Sequence, residues 1–130
     1  MSLSVNQDSM KPVVTVAMNC FNCSKYLHEA LESVFKQTFM NWEIVFLDNA
    51  STDNSYDIVR SCSYFDNIVY VKLDEKISLA EARNIVFGYS RGKYIAILDC
   101  DDIWLPQKLE KNLELFLAND NLGLVFSDAY

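Results

Sequence analysis

The segment Tyr94-Ile95-Ala96-Ile97-Leu98-Asp99-Cys100-Asp101-Asp102 joins an apolar run of strand length to a cluster of carboxylates. A short apolar run without polar alternation is typical of a strand buried on both faces of a parallel sheet. Three carboxylates within four residues repel one another, and a divalent cation that prefers oxygen ligands, Mg²⁺ or Mn²⁺, relieves that repulsion. The same acids also suit the positive N-terminal end of a following helix. Taken alone, the acidic cluster therefore supports a metal site and a helix cap equally.

Strand and helix patterns alternate along the rest of the chain. Short apolar runs predict five strands, at residues 13–18, 42–47, 68–73, 94–98 and 122–126. Four helices are predicted. The first is capped by Ser24, and the second passes through Ile58 and Val59. The third opens at the capping box Ser78–Glu81 and ends near Gly92, and the fourth begins at Pro106. The last of these has Leu109, Leu113, Phe116 and Leu117 on one face. The alternation predicts an α/β fold with a mostly parallel sheet and helices on both faces.

Composition bounds the class of protein. The 130 residues are 51% hydrophobic, which suits one domain with one core, and the formal net charge is −7 with a pI near 4.5. No basic stripe offsets this charge, so nucleic acid is not an expected partner. No apolar run approaches the roughly 20 residues of a membrane span, and no secretory signal layout is present. We expect a cytoplasmic protein, with residues 1–11 as a disordered or added N-terminal segment and residues 12–130 as the domain.

Candidate binding residues follow the predicted strands, because ligands of open α/β sheets lie beyond the carboxyl ends of the strands. The segments at these positions are residues 19–21, 48–53, 74–77 and 99–102. Asp48 is placed to accept a hydrogen bond from the imide N–H of a uracil-type base, or to cap the loop. Arg83, early in its helix, is placed to contact a diphosphate or to balance the aspartates, or else to form a surface ion pair. Lys76 is interpreted as an ordinary solvated charge.

Two other classes of protein are compatible with parts of the sequence. Cys20-Phe21-Asn22-Cys23 matches the C-x-x-C of redox proteins, but no proline lies between the cysteines, so we expect reduced thiols without a chemical role. A zinc site would need further ligands, and the other cysteines and His28 are scattered. A receiver-like, Mg²⁺-binding phospho-signalling domain would use Asp48 as phosphoacceptor. Such a domain needs an acidic pair after its first strand, where this chain has Asn19-Cys20.

In order, several segments resemble family 2 glycosyltransferases with the GT-A fold. The segment 13–22, VVTVAMNCFN, resembles the opening strand and base-binding turn of the family, with Asn19 where proline is usual. Residues 47–53, LDNASTD, match the V-D-D-G-S-T-D loop, with Asn49 for the second aspartate and Ala50 for the glycine. Ala82-Arg83-Asn84 matches A-R-N, and residues 98–106, LDCDDIWLP, match D-x-D-D-x-W-x-P. The resemblance covers residues 12–130 and implies the Rossmann-like, nucleotide-binding half of a GT-A domain.

The resemblance also implies roles for individual residues. Asp48 would contact the nucleotide base, while Asn19, Cys20 and Phe21 would line its pocket. Arg83 would hold the nucleotide region. Asp99 would approach the ribose and the metal, and Asp101 would be the principal ligand of Mn²⁺ or Mg²⁺. These are the donor-site residues that the resemblance predicts.

An inverting transfer from a nucleoside-diphosphate sugar, most often a UDP-sugar, to a hydroxyl of a glycan or lipid-linked acceptor is the implied reaction. The catalytic base is expected beyond Tyr130, so we expect this chain alone to bind nucleotide weakly and to transfer no sugar. Peripheral membrane association is an expectation for the full-length protein.

Overall fold

The computed structural model of the chain describes residues 11–128, and its strands and helices alternate. In chain order the elements are β1 (Val14–Cys20), α1 (Ser24–Phe35), β2 (Trp42–Asp48), α2 (Ser55–Arg60), a short 3₁₀ turn (Phe65–Asn67), β3 (Ile68–Lys72), α3 (Leu79–Tyr89), β4 (Tyr94–Ile97) and α4 (Lys108–Ala118). All pairs of neighbouring strands are parallel, in the order β3-β2-β1-β4. The predicted α/β fold is confirmed. None of the helices within residues 11–128 is long and apolar enough to cross a membrane.

Alternate residues of the central strands point to two separate cores. On one face, Val16 and Met18 of β1 and Ile44 and Phe46 of β2 pack against α1, α2 and α4. On the other face, the smaller cluster of Ala17, Val45, Leu47, Ala82 and Val86 joins β1 and β2 to α3. Because both faces of β1 and β2 are covered, their sequences read as continuous apolar runs rather than as alternating ones. Helices cover both faces of the sheet, as predicted. The carboxyl ends of the strands lie at an edge that these helices do not cover.

The predicted fifth strand is wrong. Residues 122–126 form no ladder with the described strands, and Phe126 is 85% exposed. A strand requires a neighbour for its backbone hydrogen bonds, and an apolar run cannot supply one by itself. The predicted apolar face of α4 is also narrower than expected, since Leu109 and Leu113 are buried but Leu117 is exposed. Residues 1–10 of the predicted N-terminal segment lie outside the described residues.

Local signals at the helix ends are confirmed in part. The capping box holds: the Ser78 side chain accepts from the backbone N–H of Glu81, and the Glu81 carboxylate accepts from the backbone N–H of Ser78. Helix α3 ends at Tyr89 rather than near Gly92. Ser24 is the first helical residue and Cys23 is the cap, while the Ser24 backbone N–H donates to the Asp53 carboxylate across the loop (3.0 Å).

The connection from α3 to β4 is anchored against the centre of the sheet. The Glu43 carboxylate, buried in β2, accepts from the Thr15 hydroxyl (2.8 Å), from the Arg91 backbone N–H (2.9 Å) and from Arg91 Nε (2.8 Å). The Gly92 N–H donates to the Thr15 hydroxyl (2.9 Å), and no Cβ fits at Gly92. These contacts set where β4 begins, and thereby where its carboxyl end lies.

Candidate functional site

The direction of the strand order reverses between β1 and β4. The chain runs outward from β1 through β2 to β3, and then returns to place β4 on the opposite side of β1. The carboxyl ends of β1 and β4 therefore flank a topological switch point, the position at which open α/β sheets bind their ligands, and we call this position the crevice. Ala17 pairs with Ile97, and the Cys100 thiol donates to the Asn19 carbonyl (3.2 Å). Two segments predicted separately, residues 19–21 and 99–101, thus lie side by side.

Arg83, on α3, contacts the second of these segments from the face of the sheet that α3 covers. Its neighbours Ala82 and Val86 are fully buried against β1 and β2, so the first turns of α3 are held close to the crevice. Arg83 Nη2 lies 3.8 Å from Asp99 Oδ1, with both side chains partly exposed. An exposed ion pair at this distance contributes little to stability. The pairing of Arg83 with the aspartates, one of the predicted alternatives, is present in the structure.

Two buried polar atoms at the crevice have no hydrogen-bond partner among the described residues. They are Arg83 Nε, a donor, and Asn19 Oδ1, an acceptor. A buried polar atom without a partner costs about 1–3 kcal/mol, so such atoms mark places where a ligand or water is expected. Asn19 belongs to the turn predicted to line the pocket, and Arg83 to the residues predicted to hold the nucleotide.

The acidic cluster after β4 is exposed and does not cap a helix. The residue before α4 is Gln107, whose side chain makes no capping bond, and α4 itself starts only at Lys108. The helix-cap alternative for Asp99, Asp101 and Asp102 is therefore wrong. The three carboxylates do not converge into a three-ligand group among residues 11–128. Two of them with substrate phosphates would fit Mg²⁺ or Mn²⁺, which are commonly held by one or two carboxylates plus phosphate oxygens.

Asp48 is completely buried at the end of β2. Its Oδ1 accepts from the Ser51 backbone N–H (2.7 Å), and its Oδ2 accepts from the Tyr70 hydroxyl (2.5 Å). Burial and the neighbouring Asp48 carboxylate raise the pKa of Tyr70, so the hydroxyl remains a donor. Ser51 lies in the predicted segment 48–53, whereas Tyr70 is a site residue that the sequence did not single out. A base would have to use the remaining lone pairs of Asp48, and that contact stays a prediction.

The loop after β2 departs from the family sequence at Asn49 and Ala50, and the structure shows how both are accommodated. The Asn49 amide donates to the Ile77 carbonyl and accepts from the Ile77 N–H, both at 2.9 Å. An aspartate could not donate the first of these bonds. Ala50 has φ of 61°, the left-handed region in which glycine carries no Cβ penalty. Asn49 thus attaches this loop to the segment that precedes α3.

The turn after β1 and the loop after β2 are connected by a second set of bonds. Asn22, with φ of 51°, accepts at Oδ1 from the backbone N–H groups of Thr52 (2.8 Å) and Asp53 (3.3 Å). Its own N–H donates to the Ser51 hydroxyl (3.0 Å). Asparagine tolerates the left-handed conformation better than most residues. The pocket turn of residues 19–21 is therefore held by the loop that contains Asp48.

Asp53 caps the starts of two helices. Its Oδ2 accepts from the Ser24 N–H of α1 (3.0 Å), and its Oδ1 accepts from the N–H (3.0 Å) and hydroxyl (2.6 Å) of Ser55 in α2. Burial raises the pKa of Asp53, but these hydrogen bonds from Ser55 and Ser24 outweigh it and hold the pKa to about 2, below its usual 3.8.

We expect Asp53→Ala to lower the free energy of unfolding at neutral pH by about 1–2 kcal/mol, as for other helix caps. Because the folded pKa is depressed, the charge-dependent part of this stabilisation is present above pH 3.8 and is lost as pH falls towards 2. Urea unfolding from pH 6 downwards should therefore show the wild-type and variant curves converging. Asp120→Ala, at an exposed site after α4, is the control, with an expected change below about 0.5 kcal/mol. A pH-independent gap would contradict this assignment.

Lys76 is exposed, as its sequence context suggests, and it also contacts an aromatic ring. Its Nζ lies 3.6 Å from the centroid of the exposed Phe21 ring, a cation–π contact at the rim of the pocket turn. The two residues are far apart in sequence and are brought together by the loop after β3. The signal in the sequence was that Lys76 belongs to residues 74–77, the segment after the third predicted strand.

The expectation of four reduced thiols is also wrong. Cys20, the last residue of β1, forms a disulfide with Cys23, because the turn between β1 and α1 brings their Cα atoms to 5.9 Å. Cys62 and Cys100 are free. Burial, and then the negative charge of Asp99 and Asp101, raise the pKa of the Cys100 thiol to about 12. Cys20 therefore lines the pocket turn as half of a disulfide rather than as a free thiol.

Comparisons with known proteins agree with this architecture. Residues 15–127 match the family model of glycosyl transferase family 2. The chain is 37% identical to an uncharacterized glycosyltransferase, MJ1057, of Methanocaldococcus jannaschii, over 92% of this chain and 42% of that protein. It is 30% identical to the UDP-Glc:alpha-D-GlcNAc-diphosphoundecaprenol beta-1,3-glucosyltransferase WfaP of Escherichia coli, over 91% of this chain and 46% of that protein.

A solved structure extends the likeness to three dimensions. The mannosyltransferase PcManGT of Pyrobaculum calidifontis, in complex with GDP-Man and Mn²⁺, matches with a TM-score of 0.77 and 26% identity, over 87% of this chain and 34% of that chain. The Rossmann-like α/β half of a GT-A fold is thereby confirmed. The chain belongs to glycosyl transferase family 2. It spans less than half the length of these relatives.

The strand order separates this chain from a receiver-like domain. Receiver and flavodoxin-like sheets place β1 between β2 and β3, whereas here β2 lies between β1 and β3, as in one half of a Rossmann sheet. The receiver-like alternative is not favoured.

Proposed function

We propose that this chain is the donor-binding half of a glycosyltransferase that moves a sugar from a nucleoside-diphosphate sugar to an acceptor hydroxyl. The carrying observation is the crevice between β1 and β4. It brings together Asn19 of β1, Arg83 of α3 and Asp99 of the segment after β4. Arg83 Nε and Asn19 Oδ1 remain without partners there, as expected of groups that await a ligand.

Arg83 is the cation of this proposed site. Its guanidinium already faces Asp99 across 3.8 Å, and its unpaired Nε offers a further donor to a phosphate oxygen. A phosphate would otherwise be repelled by a chain of net charge −7. Arg83 therefore orients the diphosphate and offsets the negative charge around it.

Asp101 is the proposed principal ligand of the divalent cation, with Asp99 as the second. Both carboxylates are exposed directly after β4, and neither caps α4. Bound Mn²⁺ or Mg²⁺ supplies positive charge that stabilises the departing nucleoside diphosphate. Two exposed carboxylates beside an arginine leave the remaining coordination positions to phosphate oxygens and water.

The turn of residues 19–21 and Asp48 are the proposed base and ribose side of the site. Phe21 offers an exposed ring with Lys76 held against it, and Asp48 lies one strand away, paired in register with Cys20. One relative uses UDP-Glc by its name and one neighbour holds GDP-Man. We propose a UDP-sugar here, because an aspartate suits the imide N–H of uracil.

The acceptor side of the proposal rests on the relatives. The named substrate of WfaP is a diphosphoundecaprenol-linked sugar, which supports a glycan or lipid-linked acceptor for this chain. We propose inversion at the anomeric carbon and peripheral association of the whole protein with a membrane, and we assign no catalytic base among residues 11–128.

Binding of a nucleoside diphosphate tests the proposal directly. With Mn²⁺ present, calorimetric titration of the chain with UDP, and in parallel with GDP, is expected to give heat at millimolar ligand. Asp101→Asn should weaken this binding by about tenfold or more, a difference of at least about 1.4 kcal/mol, because it removes the charged metal ligand. Omitting Mn²⁺ should weaken binding by wild type in the same way.

Asp102→Asn is the matched control, because it is adjacent, exposed and outside the proposed ligand set. Its affinity should stay within about twofold of wild type, a difference below about 0.5 kcal/mol. Equal losses in both variants would assign the effect to overall charge. Absence of heat with either nucleotide and Mn²⁺ would refute donor binding by this chain.

A further inference from the structure

Three cysteine sulfurs converge beside the crevice. The Sγ atoms of Cys20, Cys23 and Cys100 all lie within 4.8 Å of one another. The three residues come from the end of β1, the start of α1 and the segment after β4, so the fold rather than the C-x-x-C spacing assembles them. The fourth cysteine, Cys62, lies elsewhere and remains free.

The distance of the Cys100 sulfur from the other two sulfurs is close to the spacing in a thiolate metal site. Tetrahedral coordination with metal–sulfur bonds of about 2.3 Å places sulfurs about 3.8 Å apart. A disulfide bond is about 2 Å long, so the Cys20 and Cys23 sulfurs must separate by about 1.7 Å after reduction. The Cys100 sulfur, which lies within 4.8 Å of both, must approach by no more than about 1 Å. Cys20 and Cys23 supply the two-residue spacing typical of zinc ligand pairs, and Cys100 supplies the third ligand.

The surroundings favour a cation at this position. Asp99 and Asp101 flank Cys100 in the chain, and their negative charges attract a cation. Cys20 and Cys100 are buried, whereas Cys23 is partly exposed. Cys23 therefore marks the side from which an ion enters, and a water can complete the coordination there.

We propose that reduction of the Cys20–Cys23 disulfide converts this cluster into a binding site for a thiophilic divalent cation, Zn²⁺ or Cd²⁺. A thiol or phosphine reductant supplies two electrons, and the two sulfurs take up two protons to become thiols. The cation then binds the three sulfurs and displaces their protons to solvent. With the disulfide intact, two of the three ligands are missing, so binding depends on the redox state.

Cadmium titration of the 130-residue chain tests the proposal. The chain is reduced with a phosphine under anaerobic conditions, and the ultraviolet thiolate-to-cadmium charge-transfer band is followed. One Cd²⁺ per chain is expected, and an excess of Mg²⁺ should leave the band unchanged, because Mg²⁺ prefers oxygen ligands. The oxidised chain should bind at least about tenfold more weakly, a difference of about 1.4 kcal/mol.

Single substitutions identify the ligands. Cys100→Ser and Cys23→Ser are each expected to weaken Cd²⁺ binding by about tenfold or more, while Cys62→Ser, the matched control, should leave it unchanged. Because Cys23 is partly exposed, Cys23→Ser is expected to fold, and it tests the proposal even if Cys100→Ser does not fold. Wild-type affinity in Cys23→Ser, equal binding by the oxidised chain, or absence of the band in the reduced chain would overturn the site. None of these results bears on nucleotide binding.

Discussion

Gly92→Ala is expected to lower the free energy of unfolding by about 3 kcal/mol, because the added Cβ has no room. A Cβ at Gly92 would lie 2.7 Å from the Val14 carbonyl carbon and 2.8 Å from the Thr15 hydroxyl oxygen, and it would also clash with the Thr15 backbone nitrogen. Val14 and Thr15 belong to the central strand β1, so the backbone there cannot move aside without disturbing both of its ladders.

Urea unfolding monitored by circular dichroism measures this effect. Gly88→Ala is the matched control, since a Cβ at Gly88 meets nothing within 4 Å and Gly88 lies within α3. That variant should be more stable than wild type by up to about 1 kcal/mol, because alanine has the higher helix propensity. If Gly92→Ala were as stable as Gly88→Ala, the α3–β4 connection would not pack as closely against β1 as the structure shows.

Arg91→Met is expected to cost a similar amount, about 3 kcal/mol, because it leaves a buried carboxylate without its cation. Glu43 is 4% exposed, and Arg91 Nη2 lies 2.7 Å from its Oε2. The Thr15 hydroxyl and the Arg91 backbone N–H would still donate to Glu43, but they carry no net charge. Methionine retains the aliphatic length of the arginine, so the loss reports mainly on the charge.

Lys36→Met provides the comparison at the surface. Lys36 Nζ lies 3.6 Å from Glu32 Oε2, with side chains 70% and 39% exposed, so its loss should cost less than about 0.5 kcal/mol. Combining Arg91→Met with Glu43→Gln should recover part of the Arg91→Met loss, because the uncompensated buried charge is then removed. Equal effects of Arg91→Met and Lys36→Met would mean that Glu43 is solvated.

Prediction from sequence was most accurate where neighbouring residues in the chain determine the local structure. The capping box at Ser78, the four paired strands and the location of Asp99 after β4 were all predicted correctly. It was wrong where a long-range contact decides. Residues 122–126 have the composition of a strand but lack a neighbouring strand to pair with. Asp102 is of a residue type that often caps helices, but it precedes α4 by several residues.

The candidate site shows the same division. Its carboxylates and its arginine were predicted from their positions near strand ends and from family motifs. Such a prediction is possible because the carboxyl ends of parallel strands share one edge of the sheet. The contacts of Asp48 with Tyr70, of Lys76 with Phe21 and of Cys20 with Cys23 were not predicted. Side-chain partners at such distances depend on loop conformation, which the hydrophobic pattern does not encode.

The sequence by itself determined the α/β class, the family and the edge of the sheet at which a ligand would lie. Periodic burial and local capping are properties of neighbouring residues, and they are readable before folding. Only the tertiary structure decided the strand order that separates this fold from a receiver, the burial of Asp48 and the convergence of Cys20, Cys23 and Cys100. These depend on packing between segments far apart in the chain, because a side chain acquires its neighbours only when the sheet assembles.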